Sequence, residues 1–152
     1  MLDSRQIVIT ALMTLGLNDA LKLRERAVSG EITDNEVLYC EHAVPAWRAD
    51  KDYTDAPVGT PVAHEGQVYG LIQPHNAANY PDTTPATLPA LWRVKHATDP
   101  EVAKPFVKPT STSDMYLTGE CMIWTDGVVK RALRDTTYSP DEYADDWEDA
   151  EV

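Results

Sequence analysis

The chain has 152 residues with 25 acidic and 13 basic side chains, a formal net charge of −12. That length allows one domain or two small modules, and either half alone would bury only a marginal core. Lys and Arg are scattered rather than gathered into the basic face that phosphate contacts need, which excludes nucleic acid as a partner. No apolar run reaches about 18 residues, so no membrane insertion is expected.

The first forty residues read as helices. Asp3 or Ser4 can cap a helix over 3–14, with Ile7, Val8, Ala11, Leu12 and Leu15 forming an apolar stripe and Gly16 ending it. Asn18 or Asp19 can cap a second helix running to Val28. There Ala20, Leu21, Leu23 and Ala27 face inward, Lys22, Arg24, Glu25 and Arg26 face water, and Ser29-Gly30 stops the helix. Thr33-Asp34-Asn35-Glu36 is a start signal for a short third helix, with Val37, Leu38 and Cys40 on its inner side. Helices this short need the β part, or a copy of themselves, to pack on. The opening MLDSRQIVITALMTLGLNDA is not an export signal, because Asp3 precedes Arg5 and Thr10 and Thr14 interrupt its apolar part. Cys40 and Cys121 are accordingly expected as reduced, buried thiols.

From Val44 onward the pattern changes to β. Pro45 disfavours helix in the residue before it, and Trp47 reads as a packing residue. Thr60–His64 and Gln67–Gln73 read as two strands joined at Glu65-Gly66. The inward set of the second strand is either Val68 and Leu71 or Tyr69 and Ile72, two registers between which the pattern does not choose. A loop punctuated by Pro74, Pro81, Pro85 and Pro89 comes next, read as an ordered wrap, and Leu91–Val94 closes the unit as a strand. Residues 97–113, with Pro100, Pro105 and Pro109, read as a linker in which Phe106 and Val107 can pack as an edge strand. A shortened echo of the first unit occupies the rest of the chain. Tyr116–Trp124 is a strand, Thr125-Asp126-Gly127 a turn, Val128–Leu133 a returning strand, Arg134–Asp146 a loop and Trp147 a closing aromatic. Beyond Arg134 there is no Lys or Arg, and seven acids lie between Asp141 and Glu151, a composition that predicts a solvated, mobile end.

No phosphate loop, nucleophile elbow, paired-cysteine zinc pattern or HExxH motif is present. His42, His64, His75 and His96 show no ligand spacing, and neither a catalytic residue, a metal nor a cofactor is expected. What the sequence does offer is aromatic residues in stiff polar loops: Tyr80 before Pro81, and Tyr138 before Ser139-Pro140. A presented ring can stack on the C–H face of a sugar while Asn76, Asn79, Asp82 and Thr83 bond its hydroxyls. The alternative is that each ring folds back over the small β core with its hydroxyl at the surface.

The series Pro45-Ala46-Trp47, Tyr53, Gly59, Gly66 with Val68-Tyr69, Gln73-Pro74-His75, Tyr80-Pro81-Asp82 and Pro89-Ala90-Leu91-Trp92 resembles carbohydrate-binding modules of families 5 and 12. These are related to the chitin-binding domains of bacterial chitinases, and the likeness is greatest to versions in phage and prophage tail proteins. The resemblance covers 45–94 well and 116–147 more loosely. It implies structural roles for Trp47, Tyr69 and Trp92, and a sugar-facing ring at Tyr80 and at Tyr138; Trp147, closing the echo, reads as a structural aromatic of the second unit. Where chitinase modules carry adjacent aromatics after the second strand, this chain has Gly70-Leu71-Ile72-Gln73.

The expectation is therefore an α+β protein, a short N-terminal helical segment followed by two small antiparallel β modules. The divisions are a helical attachment segment (1–43), a first module (44–96), a linker (97–113), a second module (114–147) and an acidic tail (148–152). The expected role is that of a phage virion structural protein, a tail or surface-appendage component for host attachment or particle decoration. Its partners would be copies of itself, other virion proteins and a host-surface glycan, with no enzymatic activity. The rival expectations are an assembly adaptor of baseplate, neck or capsid that binds no glycan, and a targeting module for a cell-wall hydrolase.

Overall fold

Three short helices open the chain, each with a side-chain cap. In the computed structural model, which describes residues 3–152, α1 (Ser4–Thr14) starts from Asp3, whose carboxylate accepts from the Gln6 N–H in a capping box. Helix α2 (Ala20–Ser29) is capped by Asp19 and ends at Gly30, whose φ of 78° only glycine adopts without cost. Helix α3 (Asp34–Tyr39) has a second capping box between Thr33 and Glu36 and packs on both other helices. Leu12, Leu17, Leu23, Val37 and Leu38 form the buried side of this group. The expected α1 stripe divides. Leu12 is buried, but Ile7 and Leu15, which lie with Ala11 on another face of the turn, stay exposed, Ile7 at 55%.

The described chain falls into two compact units, the first running to Lys95 and the second from His96 to Val152. The helices are not a separate attachment segment. They belong to the first unit, where Gly59 lies against Val28 of α2 and the Lys95 ammonium meets Asp34 of α3 at 2.8 Å.

The first sheet is antiparallel in the order β1 (Pro61–His64), β2 (Gln67–Leu71), β3 (Trp92–Val94). Val62 faces Tyr69, and Leu71 faces Trp92. Glu65 and Gly66 turn the hairpin with positive φ at both positions, the backbone twist that suits a two-residue hairpin loop. Every residue of β2 is buried, so the first candidate set, Val68 and Leu71, is wholly inside, while of the second only Tyr69 is, Ile72, just past the strand, being exposed. A central strand covered on both faces carries no alternation to read.

The second sheet has the order β4 (Lys104–Pro105), β5 (Cys121–Ile123), β6 (Val129–Ala132), β7 (Trp147–Asp149). It is mixed rather than antiparallel, because β4 runs parallel to β5. Two further features differ from the sequence reading. Residues 97–113 are part of the unit: Ala97 bridges to Cys121, and the Phe106 N–H donates to the Ile123 carbonyl. Pro105, which has no N–H to give, is tolerated on that edge. The acidic end is not loose either. Glu148 and Asp149 lie in β7, where Arg131 and Lys130 of β6 reach them at 3.7 and 2.7 Å. Basic residues earlier in the chain hold it in place. The expected long strand 116–124 shortens to β5 because Gly119, at φ 90°, turns the chain just before it.

Candidate functional site

Both units are built on the same frame, and that frame fixes where their loops emerge. A buried tyrosine accepts a hydrogen bond at its hydroxyl from an upstream backbone N–H: Tyr53 from Arg48 at 3.1 Å and Tyr116 from Val107 at 3.0 Å. A glycine of positive φ then donates to the end of the returning strand, Gly59 to Leu71 and Gly119 to Ala132, each at 2.8 Å. A tryptophan from the closing strand meets the tyrosine edge-on, Trp92 on Tyr53 at 5.1 Å and Trp147 on Tyr116 at 5.3 Å. The residue before the N–H donor, Trp47 or Phe106, donates its own N–H to the first hairpin strand, at Ala63 or Ile123. The Trp47 indole stands edge-on to His64 at 5.1 Å. Tyr69, in β2, is buried, and burial pushes its phenol up from the usual range. Between the second strand and the closing tryptophan each unit has one connection, and the candidate sugar-binding residues lie there.

In the first unit the connection carries two 3₁₀ turns, Ala77–Asn79 and Pro85–Thr87. Asn76 spends its side-chain oxygen capping the first, accepting from the Ala78 N–H at 3.1 Å. Thr83 donates its hydroxyl to the Tyr80 carbonyl. Tyr80 is 40% exposed, and its ring sits edge-on to the buried His75 at 5.5 Å, which in turn packs on Trp92 at 5.4 Å. Asn79 and Asp82 are exposed, Asp82 at a φ of 61°. The structure thus splits this group: Tyr80 leans on the core through His75, and Asn76 and Thr83 bond their own backbone.

The second unit is different. Its connection opens a cleft of about 420 Å³, lined by Thr112, Met115, Arg134, Asp135, Thr136, Thr137, Tyr138, Tyr143 and Asp146. Tyr138 and Tyr143 both line it and pack on each other, with ring centroids 6.0 Å apart and planes 32° apart, 51% and 48% exposed. At the bottom is Asp146, only 3% exposed. Thr136 donates its hydroxyl to Asp146 Oδ2 at 2.6 Å, and the Arg134 Nε lies 3.0 Å from Oδ1. That second contact is an ion pair without an aligned hydrogen bond, so Oδ1 keeps an unused lone pair while shielded from solvent.

The walls are tied down. Ser139 and Glu142 cap each other reciprocally, the Ser139 N–H to Glu142 Oε1 at 3.0 Å and the Glu142 N–H to Ser139 Oγ at 3.2 Å. The Lys108 ammonium donates to the Thr137 carbonyl and to Glu142, and stands 5.8 Å over the Tyr138 ring. The Lys108 bond and the Ser139 N–H hold the Glu142 carboxyl below its usual range. The Trp147 indole N–H donates to the Tyr138 carbonyl at 3.1 Å. A cleft whose walls are bonded before a ligand arrives loses little entropy on binding.

Of the residues the sequence singled out, only Tyr138 lines this cleft. Tyr143, Arg134, Thr136 and Asp146 were not among them. The pattern Ser139-x-x-Glu142, a capping box in the middle of a presumed loop, is the signal that could have marked the segment as ordered. Cys40 and Cys121 are both free and buried. Among the described residues no group of three or more His, Cys, Asp and Glu side chains could hold a metal ion, and no helix is long and apolar enough to cross a membrane. No protein-family model matches the chain, and no curated protein matches it.

Proposed function

We propose that the protein is a phage virion component, a tail or surface-appendage protein whose second β unit binds a host-surface glycan without catalysis. The cleft lined by Tyr138 and Tyr143 is the observation that carries this reading. Two half-exposed rings supply an amphipathic platform, and a polar floor supplies hydrogen-bonding groups, the usual division of labour in a small-ligand site. One such site binds weakly, and an appendage displaying many copies raises the avidity without new contacts. The exposed Ile7 of α1, Leu15 at its C-terminal cap and Leu21 of α2 support a contact between copies, or with another virion protein, through the helical side of the first unit.

The test is a printed array of bacterial surface oligosaccharides probed with the whole chain, followed by titration of each hit. Tyr138→Ala and Tyr143→Ala should each weaken binding by about tenfold or more, and Tyr80→Ala should leave it unchanged. Retained binding in the Tyr138→Ala, Tyr143→Ala double variant would overturn the assignment of the site.

A further inference from the structure

The charges around the second unit's cleft bear on which sugars it accepts. We infer that Arg134, held in place by Asp146, is its specificity-determining group and selects an uncharged pyranose over a carboxylated one. This rests on the reading of the cleft as a glycan site.

The Arg134 side chain is 59% exposed, and its Nε faces Asp146. No other partner of its guanidinium is found among the described residues, so the two terminal Nη groups are left to donate into the cleft that Arg134 lines. An arginine ion-paired through its Nε keeps two Nη groups to donate elsewhere, a division that the point charge of an ammonium does not offer. Asp146 is a positioning residue here, itself oriented by the Thr136 hydroxyl.

The lining carries two carboxylates, Asp135 and Asp146, and one guanidinium. A further cation, Lys108, which stands over the Tyr138 ring, is paired with Glu142. An incoming carboxylate therefore meets a guanidinium whose charge is already balanced, with a second carboxylate beside it. Hydroxyls meet no such penalty. They can accept from the Arg134 Nη groups and exchange hydrogen bonds with the Thr112 and Thr137 side chains, while the C–H face of the ring lies on Tyr138 and Tyr143.

The experiment titrates the whole chain, by heteronuclear NMR, with cellotriose, maltotriose and chitotriose as neutral probes and with trigalacturonic acid and sialyllactose as acidic ones. At least one neutral probe should bind, with an affinity that changes little between about 0.05 and 0.5 M salt, and the acidic probes should bind at least about tenfold more weakly. Arg134→Lys should weaken the neutral probe about tenfold, the order expected for losing a hydrogen bond from a charged donor. Asp146→Asn frees the Arg134 charge and should move the neutral-to-acidic preference about tenfold toward the acidic probes, a shift that a merely structural role would not produce.

If the acidic probes bind the unaltered chain as well as the neutral ones, or if Arg134→Lys changes neither affinity nor preference, the inference fails and the glycan reading stands. If no probe of either kind binds, both fail. Arg134→Lys keeps the ion pair with Asp146 possible, and matched amide spectra would show that the variant is folded.

Discussion

The two β units share a frame and differ in what they do with the connection it holds. In both, a tyrosine hydroxyl caps an upstream N–H, a glycine of positive φ closes onto the hairpin and a tryptophan meets the tyrosine edge-on. The position after the returning strand, where the tyrosine N–H finds its carbonyl, is His75 in the first unit and Thr136 in the second. The imidazole of His75 fills the space among Tyr53, Trp92 and Tyr80 and so draws Tyr80 inward. The small side chain of Thr136 instead lines a cleft and bonds a buried aspartate. One side chain at an equivalent place thus separates a connection that closes on its own core from one that stays open.

The sharpest way to break this comparison is to remove the shared tryptophan. Trp92→Ala or Trp147→Ala should each cost about 3–5 kcal/mol. Each unit holds one buried cysteine whose thiol burial pushes up, Cys40 in the first and Cys121 in the second. A thiol reagent therefore reports opening unit by unit. Trp147→Ala should speed labelling of Cys121 and Trp92→Ala that of Cys40. The effect should be greater in the second unit, where Trp147 packs with Tyr116, Met122 and Ala132 and which has fewer buried hydrophobic residues than the first among the described residues. Equal acceleration of both thiols by either change would mean that the units do not open separately.

Next in size, Tyr53→Phe and Tyr116→Phe each leave a backbone N–H without its acceptor and should cost about 1–3 kcal/mol, measured by urea denaturation. Similar values in the two units would support an equivalent frame. A negligible cost at one would show that its hydroxyl is incidental there. Smaller still, Gly66→Ala and Gly127→Ala put a Cβ at φ 81° with nothing within 4 Å, so strain alone acts and each should cost about 1 kcal/mol.

Acid should also act on the second unit, through Asp114. Burial pushes its carboxyl up, but N–H donors from Thr110 and Ser111 and the Thr110 hydroxyl outweigh burial and hold it below its usual range. Its stabilising contribution is then complete above the unfolded value of about 3.9 and is lost as pH falls through the lower folded value. Asp114→Asn should flatten that part of the acid limb of the stability curve. An unchanged limb would show that those bonds do not favour the charged form.

The helices and the first hairpin were legible because their signals are local. Asp3, Asp19 and Thr33 each cap the helix that begins at the next residue, and Glu65-Gly66 sits between two short apolar runs. The internal echo was legible too, since its glycines and tryptophans recur in order. Pairings over distance were not. Lys104–Pro105 looked like linker because a two-residue parallel edge has no pattern of its own, and its partner lies beyond a long loop. The acidic end looked mobile because the cations that hold it, Lys130, Arg131 and Arg134, precede it in a different strand or turn. The cleft was missed for a related reason. Tyr138 stands out two residues before a proline, but Tyr143 and Asp146 read as parts of a loop running into a mobile acidic end until the Ser139–Glu142 cap folds them over Thr136.

The central claim is that the second connection, and not the first, meets the ligand. Amide chemical-shift mapping of the whole chain during titration with the best neutral oligosaccharide tests it most directly. Shifts gathered at Thr136, Thr137, Tyr138 and Tyr143, with 74–89 unmoved, are the predicted result. Shifts centred on Tyr80 and Asn79, or a titration that moves neither connection, would contradict the account.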